Sequence, residues 1–127
     1  MKTIVIIPAR LESTRLTEKP LIKIQGKSLI HRVYNRIKKC ERELDIVVAT
    51  DSFKIAEHVK SFGGEFILTS NKHISGTDRC NEALQSLKGK YDLVINVQGD
   101  EPIINPKIID DIIKAISFYF SSWVFLI

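Results

Sequence analysis

The chain has 127 residues, 44% of them hydrophobic and 27% charged, with a formal net charge of +4. That length holds one ordinary domain with a core and not two, and the balance of apolar to charged residues excludes a disordered or low-complexity chain. The small positive excess has no long basic run behind it, so it suits an anionic small molecule at least as well as nucleic acid.

Cys40 and Cys80 are the only cysteines and fit no CxxC spacing, which points to two buried thiols in a reducing compartment and away from a disulfide or a metal site. The N-terminal MKTIVIIPAR is broken by Pro8 and Arg10 and reads as a first strand, not a signal peptide. No stretch reaches the roughly 20 apolar residues of a membrane-spanning helix. The expected location is the cytoplasm.

In chain order, Thr3–Ile7 (TIVII) is β-branched without polar alternation, the pattern of a strand covered on both faces. A polar loop carrying Arg10, Arg15 and Lys19 follows and ends at Pro20. Leu21–Ile24 is short and extended, Gln25-Gly26 is a turn, and Ser28 caps a helix whose inner face is Leu29, Ile30, Val33, Ile37 and Cys40. Asp45–Thr50 is a second buried strand. Ser52 caps a helix with Ile55, Ala56, Val59 and Phe62 inward, and Gly63-Gly64 ends it. Glu65–Leu68 is a third strand and Thr69–Gly76 a polar loop. A helix from about Thr77 to Leu87 buries Cys80, Ala83, Leu84 and Leu87. Leu93–Val97 is the fourth strand, followed by QGDEP. Asn105 then caps a helix with Pro106 at its first position, and Ile108, Ile109, Ile112, Ile113 and Ile116 face inward.

Strands and helices alternate four times, which predicts an α/β domain with an open, mostly parallel sheet, flanking helices and right-handed crossovers. Ligands of such sheets bind outside the carboxyl ends of the strands, where strand order reverses. The polar residues of interest fall there: Arg10, Arg15 and Lys19 after the first strand, Asp51 after the second, Ser70–Arg79 after the third, and Gln98–Glu101 after the fourth.

Two phosphate signatures are absent. Gly26-Lys27-Ser28 resembles the end of a P-loop, but Leu21 stands where its first glycine is required, and no GxGxxG follows the first strand. Phosphates bound here would therefore rely on side chains: arginine offers a planar fork and lysine a mobile point charge. Taken singly, each cation also fits a solvated surface loop. Asp100, in a tight Gly99-Asp100 loop at the end of a buried strand, is the candidate carboxylate for a hard cation shared with phosphate oxygens; a turn-forming aspartate is the plainer alternative. Ser75, Gly76, Thr77 and Arg79 open the third helix, where hydroxyls and amides suit base or phosphate recognition or simple capping. His31 and His58 fall within helices as surface or packing residues, while the role of His73, in the candidate ligand loop, stays open.

IIPAR-x-x-STRL-x-x-KPL at Ile6–Leu21, HISGTDR at His73–Arg79 and NVQGDEP at Asn96–Pro102 together resemble the 3-deoxy-manno-octulosonate (Kdo) cytidylyltransferases, or CMP-Kdo synthetases. The resemblance runs from about Lys2 to Ile116, and departs at Thr17, where the family usually has proline. It implies a nucleotide-diphospho-sugar transferase-like, Rossmann-like fold, and Mg²⁺-dependent transfer of CMP from CTP to Kdo with release of pyrophosphate, for lipopolysaccharide biosynthesis. It implies that Arg10 and Lys19 neutralise the triphosphate with support from Arg15, and that Asp100 holds the metal. By the same resemblance Pro8, Ala9, Ser13, Ser75, Gly76, Thr77 and Gln98 lie at the nucleotide.

Family members are about twice this long and typically homodimeric, so residues 1–116 are expected to be the N-terminal, CTP-binding part of such an enzyme, with the dimer-forming half absent. Residues 117–127 (SFYFSSWVFLI) carry no charge and five of the ten aromatic residues. A final strand and an aberrant end to the reading frame both fit this tail, and the loss of the family pattern favours the second. The rival readings are a transferase for another acidic sugar, such as sialic acid, and a non-catalytic nucleotide-binding fragment.

Overall fold

The computed structural model describes residues 1–11, 18–72, 76–87, 90–119 and 123–126. Strand β1 (Thr3–Ala9) is buried at all seven positions. It runs two residues beyond the expected strand, through Pro8 and Ala9. Proline is tolerated there because the neighbouring ladder on one side has already ended, at the pair Ile6–Asn96.

After a short 3-10 turn at Lys19–Leu21, β2 (Lys23–Ile24) and β3 (Lys27–Ser28) form a small antiparallel hairpin. Gln25 (φ 51°) and Gly26 (φ 84°) both adopt positive φ, the requirement of a two-residue turn matched to the twist of its strands. Ser28 then caps α1 (Leu29–Ile37), its Oγ accepting from the His31 N–H at 3.2 Å. Strand β4 (Asp45–Thr50) leads to α2 (Phe53–Ser61), capped by Ser52 Oγ accepting from the Ile55 N–H at 3.2 Å. Then come β5 (Phe66–Leu68), α3 (Gly76–Ser86), β6 (Leu93–Asn96) and α4 (Pro106–Tyr119). Asn105 Oδ1 accepts from the Lys107 N–H at 2.9 Å, as expected of the cap before Pro106.

The main sheet has the order β5-β4-β1-β6-β7, every pairing parallel, with β7 at Trp123–Leu126. The chain builds outward from β1 to β4 and β5, crosses back over the sheet, and adds β6 on the other side of β1. Strand order therefore reverses between β1 and β6. Val5, Ile7 and Ala9 face one way with α1, α2 and α4 over them, while Ile4 and Ile6 face the other way beneath Cys80 and Ala83 of α3. Strict alternation along a strand covered on both sides explains why TIVII shows no polar residue to mark a surface.

Three expectations change. Cys40 lies beyond the end of α1, and Ile108 is 50% exposed; on α4 the buried residues are Ile109, Ile113 and Ile116, with Ile112 partly buried. Successive isoleucines cannot all face one core at 100° per residue, so the stripe takes Ile109 and leaves Ile108 to solvent. The helix also runs three residues past Ile116, and part of the tail, Trp123–Leu126, is an edge strand paired with β6.

The connections do not all share one hand. Helices α1 and α2 carry the chain outward in one direction on one face, and α3 carries it back on the opposite face. Those three agree in hand. Helix α4 packs on the α1 face yet moves the chain the other way, from β6 to β7, so its hand is opposite. Nearly all crossovers of this kind are right-handed, and among the described residues β6–α4–β7 differs in hand from the other three.

Candidate functional site

The reversal between β1 and β6 opens a crevice at the carboxyl ends of those strands, and the segments that leave them meet there. Gly99 is buried against β1: a side chain at this position would come 3.2 Å from the Pro8 carbonyl oxygen and 3.6 Å from Ala9 Cβ. Gly76, which opens α3, is equally close, since a Cβ there would sit 3.0 Å from Pro8 Cγ and 3.6 Å from Gln98 Nε2. Pro8, Ala9, Gly76, Gln98 and Gly99 thus come together from three distant parts of the chain. Both glycines allow a close approach, because a β-carbon at either position would force Pro8 to give by a few tenths of an ångström.

Lys19 and Asp100 face each other across this crevice, with Lys19 Nζ donating to Asp100 Oδ2 at 2.8 Å. Their side chains are 42% and 45% exposed. An ion pair this open contributes about 0–1 kcal/mol, so a ligand with more charge can separate it at little cost. Lys19 opens the 3-10 turn, and buried Pro20 follows it at a position that needs no backbone donor. Before it, Glu18 takes a left-handed conformation (φ 58°) and its N–H donates to the Leu11 carbonyl at 2.6 Å, joining the two described ends of the loop after β1. The Glu18 carboxylate accepts from Lys54 Nζ of α2, which anchors the same corner.

Arg10 is exposed directly after β1, Gln98 is exposed after β6, and Thr77 is half-buried in the first turn of α3. Ser13, Arg15, His73 and Ser75 lie outside the described residues. Arg79 differs from its sequence reading. Its side chain does not join the donors facing a ligand: it is only 3% exposed and turns inward. The signal was present in its spacing, since Arg79 and buried Ala83 stand four residues apart on one helix face.

Asn96, one residue before Val97-Gln98, is fully buried, and both of its amide atoms lack a partner among the described residues. Such a group costs about 1–3 kcal/mol, and nothing in the described residues accounts for it.

No group of three or more His, Cys, Asp or Glu side chains among the described residues is gathered for a metal ion. A single open carboxylate fits a magnesium ion only when ligand phosphates and water complete the shell, which is this ion's usual habit. Asp100 is such an open carboxylate, 45% exposed and paired with Lys19, which a metal ion would have to displace.

A parallel sheet with this strand order, flanked by helices and with polar residues gathered at its reversal point, is of the Rossmann-like α/β class. Comparison with known proteins narrows this. The cytidylyltransferase family profile matches residues 4–125, and the chain belongs to that family. It is 51% identical over 111 residues to the mitochondrial 3-deoxy-manno-octulosonate cytidylyltransferase of Arabidopsis thaliana, covering 87% of this chain and 38% of that protein. It is also 51% identical over 113 residues to the enzyme of that name from Parabacteroides distasonis, covering 88% of this chain and 44% of the relative. The solved structure of CMP:2-keto-3-deoxy-manno-octonic acid synthetase complexed with CTP superposes with a TM-score of 0.85 at 41% identity, over 91% of this chain and 47% of that one. A cytidylyltransferase from Leptospira borgpetersenii shares the fold, with a TM-score of 0.77 at 24% identity, covering 93% of this chain and 50% of the other. The chain spans about half the length of these relatives, or less. No helix among the described residues is long and apolar enough to cross a membrane.

Proposed function

We propose that this chain binds CTP at the β1/β6 crevice and supplies the nucleotide half of a cytidylyltransferase that makes CMP-Kdo and pyrophosphate from CTP and Kdo. The observation that carries the reading is the Lys19–Asp100 pair after β1 and β6, the two strands between which strand order reverses, where Gly76 and Gly99 also pack on Pro8. Identity of 51% to relatives named for this reaction supports the choice of nucleotide and sugar.

The reaction needs no protein nucleophile, because a sugar hydroxyl attacks the α-phosphorus in line. Catalysis is then positioning plus charge stabilisation. Arg10 and Lys19 neutralise the triphosphate, with Ser13 and Arg15 of the same loop in support. Pro8, Ala9, Gly76 and Gln98 form the floor against which the nucleoside lies, and Ser75 and Thr77 offer hydroxyls at the start of α3. Asp100 is the protein's ligand for Mg²⁺, which would add charge neutralisation at the phosphates. With Asp100 holding the metal, Lys19 would be free to pair with phosphate oxygens instead. The product is a precursor for lipopolysaccharide, the whole enzyme a homodimer, and the location cytoplasmic.

Because the chain spans half its relatives or less, a second reading holds as well: a fragment that binds nucleotide without turnover. One experiment separates them. The 127-residue chain is titrated with CTP and Mg²⁺ by calorimetry, then assayed for pyrophosphate release with Kdo and, in parallel, with sialic acid. Release with Kdo supports the transferase, release with sialic acid alone reassigns the sugar, and binding without release supports the fragment. Absence of CTP binding would overturn both readings.

A further inference from the structure

Arg79 sits in the first turn of α3, and its buried guanidinium reaches three residues in two other segments at once. Nη1 donates to Thr69 Oγ1 at 2.5 Å and to the Ser70 carbonyl at 3.2 Å, while Nη2 stands 3.6 Å from Asp51 Oδ2. Thr69 and Ser70 follow β5 and Asp51 follows β4, so one side chain ties the start of α3 to the carboxyl ends of two strands. Glu82, one turn further along α3, accepts from the Ser70 N–H with both oxygens, at 3.0 and 3.1 Å, and holds the same segment from below. On its other side this helix start is close against β1, since a β-carbon on Gly76 would lie 3.0 Å from Pro8 Cγ.

We propose that Arg79, braced by Asp51, is a positioning residue for nucleotide recognition: it fixes the distance between the Thr69–Ser70 segment after β5 and the Gly76–Thr77 turn that opens α3. This rests on the nucleotide-binding reading given above. A guanidinium suits the task because its planar fork can hold a hydroxyl, a carbonyl and a carboxylate at fixed angles, which a lysine ammonium cannot reproduce. Its charge is matched by Asp51 and its donors by neutral acceptors, as burial of a cation demands. Discriminating one base from another depends on donors and acceptors held in place, since a misplaced buried group recognises either base poorly. The selectivity of the site is therefore a property of this clamp as much as of the groups that touch the base.

The test uses the 127-residue chain with CTP and UTP as probes, titrated by calorimetry well below the melting temperature of each variant. Arg79→Lys keeps the charge and loses the fork. It is expected to weaken CTP binding tenfold or more and to reduce the preference of CTP over UTP toward unity, with the circular dichroism spectrum of the parent. A purely structural role would lower the melting temperature and leave the CTP-to-UTP ratio of the folded protein unchanged, and that outcome overturns the proposal. Should Arg79→Lys not fold, Thr69→Val removes the 2.5 Å bond from a part-buried position with little change of shape. Loss of selectivity in Thr69→Val supports the proposal, and an unchanged ratio overturns it. If the parent chain binds no CTP, the nucleotide reading itself has failed, and the role proposed for Arg79 goes with it.

Discussion

The two ends of the sheet offer opposite kinds of space. At the amino ends of β4 and β5 lies a cavity of about 810 Å³, lined by Tyr34, Leu44, Asp45, Phe66, Leu87 and Tyr91 among others. Its charged rim holds Glu41, Glu43, Asp45 and Glu65 against Lys38 and Arg42. A triphosphate would meet more carboxylates than cations there. Tyr91 donates to Asp45 at 2.6 Å, and its pKa is pushed up to about 12 by burial first and by that carboxylate second, so it stays a neutral donor. The carboxyl ends of β1 and β6 instead bring together Lys19, Asp100 and two glycines packed against β1. Strand direction places loops from both sides of the reversal point at one end only.

The sharpest way to break this contrast is to remove cations from both ends. Lys19→Ala or Arg10→Ala is expected to weaken CTP binding about tenfold to a hundredfold, the equivalent of about 1.5–3 kcal/mol for a charge-assisted contact. Arg42→Ala at the amino end should change it less than twofold. Equal losses from all three, measured by calorimetry at one ionic strength, would remove the distinction. Asp100→Asn belongs with the first group: it should leave CTP binding without Mg²⁺ intact or stronger and abolish the gain that Mg²⁺ brings.

Glycines give a second, smaller contrast. Gly99→Ala must move its new methyl away from the Pro8 carbonyl, 3.2 Å distant, and should reduce CTP affinity several-fold in a folded protein. Gly63, at the end of α2, has open space around it but a φ of +83°. Gly63→Ala should cost about 1 kcal/mol of stability through backbone strain and leave affinity untouched. Urea denaturation beside calorimetry reads both effects.

Between the two ends, on the α1/α2 side, His58 Nε2 meets Ser28 Oγ at 2.6 Å and His31 stacks on Phe62 at 4.2 Å. Both imidazoles are held below their usual pKa, by burial first and then by cations, Lys27 beside His31 and Lys23 beside His58. The folded protein thus prefers them neutral. Their contribution is complete above the unfolded value near 6.5 and is lost as pH falls from there through the lowered folded values. Urea midpoints should fall between pH 7.5 and 5.5, and His58→Gln should flatten that decline; an unchanged slope would show that other groups cause it. Least affected of all should be the thiols. Burial pushes Cys40 up to about 11 and Cys80 to about 12, so maleimide at pH 7.5 should label the native chain far more slowly than the urea-unfolded one.

Much of the fold was readable in order. Unbroken apolar runs marked β1, β4 and β6, the serines before α1 and α2 marked their starts, and Asn105-Pro106 marked that of α4. These are local signals, carried by propensity and capping within a few residues. The limits of the reading are equally physical. Ile108 and Ile109 are indistinguishable by composition, and only the angle at which α4 meets the sheet exposes one and buries the other. The tail shows a residue pattern compatible with a strand, but its pairing with β6 and the reversed hand of that connection depend on which sheet edge is open.

What the sequence determined by itself was the class of fold, the residue types at each strand end and the family they belong to, because alternation of elements and short motifs are written along the chain. Which of those residues meet was decided only in three dimensions. Lys19 and Asp100 are 81 residues apart in sequence and 2.8 Å apart in space. Arg79, grouped by position with the residues that face a ligand, turns inward to hold their frame. Helical periodicity assigns a face to a side chain, but whether that face meets solvent or the ends of two strands is settled by where the crossover lands on the sheet.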